Sequence, residues 1–195
     1  MKAWLCNRQC FIAVAAVCLV PLLFAAQGSA SNSSEDARLV NEFQQRVKQY
    51  LELRKKAAGQ APKPTDSPQV IASSQRELGN KVRVARAEAK QGEIFAPEIA
   101  QYFRRQLAAV LVGPHGKDIR ASLRHAEPVR MDLQINQSYP ENVPLQSTPP
   151  TLLLKLPELP DGLEYRILDR ELVLRDAEAN IVVDYIPEVL PDTEK

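Results

Sequence analysis

The spacing of apolar residues changes once along this chain, at Pro128, and that change dictates its fold class. Before Pro128 apolar side chains recur about every 3.6 residues, and after it they recur at every second residue. The first spacing gives one-sided helices; the second gives half-buried strands. The chain is therefore expected to be α+β, with three or four N-terminal helices followed by a small antiparallel sheet of C-terminal hairpins.

Leu39, Val40, Phe43, Val47, Tyr50 and Leu51 make the first helical stripe. Ser34 is its predicted N-cap, Glu35 and Asp36 suit the positive helix end, and Gly59 terminates it. Ser67-Pro68 predicts a second helix start, with Ile71, Leu78, Val82, Ala85 and Ala89 inward and Gly92 as the stop. Pro97 opens a third and more apolar helix carrying Ile99, Tyr102, Phe103, Leu107, Val110 and Leu111, closed by Gly113-Pro114. A short fourth helix is expected from Lys117 to His125, with Ile119 and Leu123 inward.

Beyond Pro128, Val129, Met131, Leu133 and Ile135 alternate with polar residues and predict a strand. Thr151 to Leu156 fits a strand or a short buried helix equally well. A two-residue turn at Asp169-Arg170 would pair Leu168 with Glu171, Ile167 with Leu172, Tyr165 with Leu174 and Glu164 with Arg175. A four-residue loop, Asp176 to Ala179, would then face Leu174 with Ile181 and Leu172 with Val183. That register is preferred because a five-residue loop would set Asp184 against Leu172.

The N-terminus reads as an export signal. Lys2 and Arg8 precede an apolar run from Cys10 to Ala26, and Gly28-Ser29-Ala30 supplies small residues for cleavage between Ala30 and Ser31. Residues 1–30 are thus expected to be a signal peptide, and 31–195 one exported domain with a helical part (31–128) and a strand-rich part (129–195). Cys6, Cys10, Cys18 and Trp4 all fall within the signal, so the mature chain has neither cysteine nor tryptophan. Disulfides, thiolate metal ligands and a cysteine nucleophile are excluded from it.

Charge divides with the period. Residues 31–128 hold 17 basic and 11 acidic side chains, whereas 129–195 hold 6 and 13. Either the two parts neutralise one another, or the first meets an anionic partner. The candidate anion contacts are Lys81, Arg83, Arg86, Lys90, Arg104 and Arg105. They lack the interleaved aromatics of a nucleic-acid platform, and no nucleic acid is expected.

Catalytic constellations are sparse. His115 and His125 stand ten apart with Asp118 between them, which is short of a metal-ligand set. Ser122 and Ser138 lack the glycine-flanked elbow of a hydrolase nucleophile. Glu158, Asp161, Glu164, Asp169, Glu171, Asp176, Glu178 and Asp184 alternate with apolar residues or occupy turns, the pattern of a solvated sheet face. Asp176-x-Glu178-x-Asn180 has calcium-loop spacing without that loop's central glycine or distal glutamate. No metal and no cofactor are expected.

Two blocks carry a resemblance. Gly92-Glu93-Ile94-Phe95-Ala96-Pro97-Glu98-Ile99-Ala100 leading to Phe103-Arg104-Arg105 is one; Leu156-Pro157-Glu158-Leu159-Pro160 through Leu163-Glu164-Tyr165-Arg166 to Ala179-Asn180-Ile181-Val182-Val183-Asp184 is the other. Together they resemble a group of uncharacterised exported bacterial proteins, which implies a periplasmic or secreted location and no activity. The Tyr165 to Asp184 hairpins are also similar to the C-terminal hairpin of small periplasmic proteins, including nickel/cobalt-homeostasis ones, although the histidine-rich metal-binding context is absent. The sequence therefore leads to a non-enzymatic exported protein that binds a protein or an anionic envelope component. The alternative is a carboxylate-dependent hydrolase of cell-wall or carbohydrate material. A structural module oligomerising through the Leu39 to Leu51 stripe is the third reading.

Overall fold

The computed structural model describes residues 27–59, 65–125, 132–139 and 149–190. Among these residues five helices precede three strands: α1 (Gln27–Ala58), α2 (Pro68–Ala85), α3 (Pro97–Val112), α4 (Gly116–His125), α5 (Pro150–Leu153), β1 (Leu163–Leu168), β2 (Glu171–Asp176) and β3 (Ile181–Ile186). The strands form one antiparallel sheet in the order β1-β2-β3. The expected α+β class, helices first and hairpins last, is what the chain adopts.

The helical stripes pack as their spacing demands. Leu39, Phe43, Val47 and Tyr50 of α1 and Ile99, Tyr102, Phe103, Leu107 and Leu111 of α3 are buried. Phe103 sits edge-on to both Phe43 and Phe95, with ring centroids 5.1 Å away in each case, and Tyr165 of β1 joins them at 5.9 Å. Aromatic contacts of this kind tie α1, α3 and the sheet into one core. The α1 stripe is thus covered within the chain, which removes the surface that oligomerisation through it requires.

Helix limits differ from expectation at two ends. Ser34 does not cap α1, because the helix begins at Gln27 and continues through the expected processing bond at Ala30-Ser31. Helix α2 ends at Ala85, not near Gly92, and Arg86 takes a non-helical conformation. Only Gly79 and Val82 of α2 are buried, and Ile71 is half exposed. Gly79 explains how so small a face docks. A Cβ there would lie 2.6 Å from the Ala179 carbonyl oxygen, so α2 touches the β2–β3 turn backbone to side-chain-free backbone.

The first hairpin has the expected register: Leu168 faces Glu171, Ile167 faces Leu172, Tyr165 faces Leu174 and Glu164 faces Arg175. Asp169 makes the tight turn at φ 51, a left-handed conformation that aspartate tolerates. The second hairpin departs from expectation. Its four-residue loop is Ala177 to Asn180, Asp176 pairs with Ile181, and Arg175 pairs with Val182. The register then slips, so that Leu174 faces Asp184 and Leu172 faces Ile186. Val183 is the inserted residue of a β-bulge.

One sheet face, including Tyr165, Ile167, Leu172, Leu174, Ile181, Val183 and Ile186, meets the helices. The other carries Leu168, Val173 and Val182 under Leu133 and Tyr139. The predicted strand from Val129 to Ile135 is not formed in its described part: Asp132 to Asn136 is extended coil and turn, and only Ser138 bridges β3, at Ile181. Residues 129–131 lie outside the described residues. Thr151 to Leu156 begins as helix α5, with Leu152 fully buried.

Gly79→Ala tests the helix-to-turn docking. Alanine is favoured over glycine inside a helix by about 1 kcal/mol, yet the backbone clash should reverse the sign. We expect a net loss of about 1–3 kcal/mol in urea unfolding. Unchanged or increased stability would show that α2 does not approach the turn this closely.

Candidate functional site

Among the described residues three charged side chains are buried: Asp184, Asp176 and Arg86. They lie where the helical layer meets the sheet. The β-bulge turns Asp184 toward the segment between α2 and α3. Its Oδ1 accepts hydrogen bonds from the Gly92 N–H at 2.9 Å and the Tyr185 N–H at 2.8 Å. Its Oδ2 accepts from Ile94 at 2.7 Å and Phe95 at 2.8 Å. Gly92 makes this curl possible at φ +86. Burial pushes the Asp184 carboxyl above the ordinary carboxylate range, and the four N–H groups offset that rise only in part.

Arg86 occupies the gap between α1, the 92–95 segment and β3. It donates to Glu93 at 2.7 Å, to Asn136 Oδ1 at 2.9 Å and to the Val183 carbonyl at 3.2 Å. Its guanidinium also lies 5.1 Å from the centre of the Tyr50 ring. The Tyr50 hydroxyl donates in turn to Asp176 Oδ2 at 2.5 Å. Burial first, then the adjacent Asp176 charge, raises the Tyr50 pKa, so the phenol stays a donor. Asp176 receives Arg54 Nη1 at 3.1 Å and the Glu178 and Ala179 N–H groups at 2.9 Å each. These contacts connect Asp184, through the 92–95 segment, to Arg86, Tyr50, Asp176 and Arg54.

The described acids therefore do not all lie on a solvated face. Asp176 and Asp184 are fully buried, whereas the chain pattern placed both with exposed neighbours. Asp176, Glu178 and Asn180 do not converge on a cation: Arg54 takes both acids and Arg175 takes Asn180 Oδ1. Among the described residues, no group of three or more histidine, cysteine, aspartate or glutamate side chains is placed to hold a metal ion. His115 is exposed in the turn before α4, and the His125 side chain lies outside the described residues.

The six candidate anion contacts do not form one surface. Arg86 is internal. Arg83 bonds Asn80, Ser138 and the Asn136 carbonyl, and Arg104 donates to the Pro187 carbonyl at 2.9 Å. Arg105 pairs with Asp36, and Lys81 with Glu77. Lys90 alone of the six is exposed with no side-chain partner among the described residues. Sequence reasoning missed a different basic surface. Between α1 and α2 lies an open groove of about 670 Å³, lined by Lys48, Gln49, Glu52, Leu53, Lys56, Ala57 and Ala85. Lys48 and Lys56 are exposed and enter no ion pair among the described residues. Their spacing of eight along α1 was visible, but which of the many bases stay unpaired depends on tertiary contacts.

No protein-family model, no curated protein and no solved structure matches the chain. Among the described residues no helix is long and apolar enough to cross a membrane.

Asp184→Ala would leave the buried backbone N–H groups of Ile94 and Phe95, and the part-buried one of Gly92, without an acceptor. We expect a loss of at least about 3 kcal/mol in equilibrium denaturation; a loss below 1 kcal/mol would show that the carboxylate does not organise this segment. Glu164 gives the pH dependence. Burial raises its pKa, but hydrogen bonds and charge from Arg166 and Arg175 outweigh that, leaving it below the ordinary value of 4.5. Its contribution is present above that value and is lost as pH falls through the lowered pKa. Thermal melts between pH 6 and pH 3 should therefore fall less steeply for Glu164→Gln than for wild type. Parallel curves would contradict the pairing.

Proposed function

We propose that the protein is exported, is cleaved between Ala30 and Ser31, and acts in the periplasm or outside the cell as a non-enzymatic binding protein for an anionic envelope component. The observation that carries this reading is the α1–α2 groove, where Lys48 and Lys56, with Glu52 between them, flank Leu53, Ala57 and Ala85 and leave the lining net positive. Several of the other bases of the helical layer are internally committed, and these lysines belong to the part of the basic surplus that pairs with no acid among the described residues. A groove with apolar residues and a net positive lining suits a ligand that is itself amphipathic and negative.

The two inward carboxylates favour binding over hydrolysis. A glycosidase acid or nucleophile needs an oxygen facing substrate. Asp184 spends both oxygens on backbone N–H groups, and Asp176 spends both on Tyr50, Arg54 and the β2–β3 turn.

Binding to anionic-lipid vesicles or purified anionic cell-wall polymer should weaken as salt rises, because exposed charges are screened beyond roughly 8 Å at physiological ionic strength. The double variant Lys48→Glu/Lys56→Glu should bind about tenfold less tightly, a change of roughly 1.4 kcal/mol. Equal binding by that variant would refute the groove as the contact. Hydrolysis of a peptidoglycan or glycoside panel by purified protein would refute the non-enzymatic reading. Intact-mass measurement of envelope-fraction protein should give a chain starting at Ser31; retention of Met1 to Ala30 would refute the processing.

A further inference from the structure

The α1–α2 groove carries an order of charge as well as a net charge. Lys48, Glu52 and Lys56 stand four residues apart on α1, and all three line the groove. Residues at that spacing share one side of a helix, so positive, negative and positive charges follow one another at steps of roughly 6 Å. All three side chains are exposed, and none enters an ion pair among the described residues. A second row on α1 shows what the alternative looks like. Arg38, Glu42 and Arg46 repeat the same order and spacing, but there Glu42 takes both arginines and Arg38 also reaches Glu98. Beside the open row lie Leu53, Ala57 and Ala85, apolar and mostly small.

We propose that the groove takes an amphipathic α-helix of another protein, one that carries acid, base and acid at four-residue spacing along the border of its apolar face. This rests on the reading of the groove as the binding surface and names the class of its ligand. Three features select a helix. The first is the order of charge: a uniformly negative polymer or bilayer would meet two attracting lysines and a repelling Glu52, whereas the reciprocal row answers all three. The second is shape. A bilayer is broad and flat and does not enter a cleft, and an open groove of about 670 Å³ would leave a lone acyl chain largely in water. A helix lowers its apolar face between α1 and α2 and keeps its polar back in water. The third is the pair of alanines, which lets a helix axis approach to the about 8–10 Å of packed helices. The partner is a different protein, because no segment of this chain has an acid, a base four residues on and an acid eight residues on. The row on α1 reads the same in both directions, so charge sets the register of the partner helix and apolar contacts set its direction.

A labelled, alanine-rich helical peptide of about 18 residues, long enough to hold a helix, tests the proposal when titrated into the intact mature protein and followed by fluorescence anisotropy. It carries leucines on one face, bordered by Glu, Lys and Glu at four-residue spacing. Its control has the same composition with the order Glu, Glu and Lys. The first peptide should bind saturably and at least about threefold tighter than the control. Glu52→Lys separates the partner classes: it should weaken binding of the first peptide at least about threefold, whereas it would tighten contact with any uniformly negative surface. The triple variant Lys48→Glu/Glu52→Lys/Lys56→Glu should instead prefer a peptide with Lys, Glu and Lys, an exchange that a merely structural effect would not produce. Absence of peptide binding, equal binding of the two peptides, or tighter peptide binding by Glu52→Lys would overturn the helix. If phosphatidylglycerol vesicles then still bind through Lys48 and Lys56, the groove stands as the anionic site and only the helix fails. If neither peptide nor vesicles bind, the reading of the groove fails with it. A dimer of the mature protein that Glu52→Lys breaks would give the groove to a second copy and would also overturn the proposal.

Discussion

The union of helices and sheet depends on one carboxylate in an irregular position. A regular β2–β3 ladder would place Val183 opposite Leu174. The bulge instead sets Asp184 there and leaves Val183 in the core. From that place Asp184 gathers the N–H groups of Gly92, Ile94 and Phe95, a stretch with no helix or strand of its own to satisfy them. Holding the segment seats Phe95 against Phe43 and Phe103, and it sets the direction in which α3 leaves. Glu93, on the same curl, is then within reach of Arg86. Arg86 closes against Tyr50 and the Val183 carbonyl, and Tyr50 carries the network to Asp176. A buried charge is tolerable only when its partners are in place, and here each supplies a partner for the next.

Much of this architecture could be read from the chain, and the misses have physical causes. The α3 stripe and its proline start were legible because spacing, entry and exit signals agree. The first hairpin was legible because both strands alternate cleanly around a two-residue turn. The second was not, since the sequence argument kept an aspartate away from leucine on a buried face. That rule holds for an unpaired acid and fails for one whose oxygens meet four N–H groups. The alternation from Val129 also misled. Its described part, including Leu133, covers the outer sheet face as a strap, and alternation records burial on one side without requiring a ladder.

The candidate site was less legible than the fold. Counting bases in the helical part gave six candidates that the fold does not bring onto one surface. Arg83, Arg86, Arg104 and Arg105 are long enough to reach carbonyls and acids of other elements, and they do so. Lys48 and Lys56, two turns apart on α1, pair with no acid among the described residues and remain at the groove, with Glu52 between them. Of the described bases of the acidic part, Arg166 and Arg175 meet at Glu164, and the Arg175 pairing was already given by the register expected of the first hairpin. The charge asymmetry between the two parts is met partly inside the fold, through Arg54 with Asp176 and Glu178, and partly left at the α1–α2 surface.

Native-state amide hydrogen exchange at Ile94 and Phe95 tests the central role of Asp184 most directly. Both amides lie outside regular secondary structure, and their acceptor is a side chain on a strand far away in sequence. The account predicts that they exchange as slowly as the core of α3 and β2, through opening of the whole fold. Exchange at the rate of a surface turn, with α3 and β2 still protected, would contradict it.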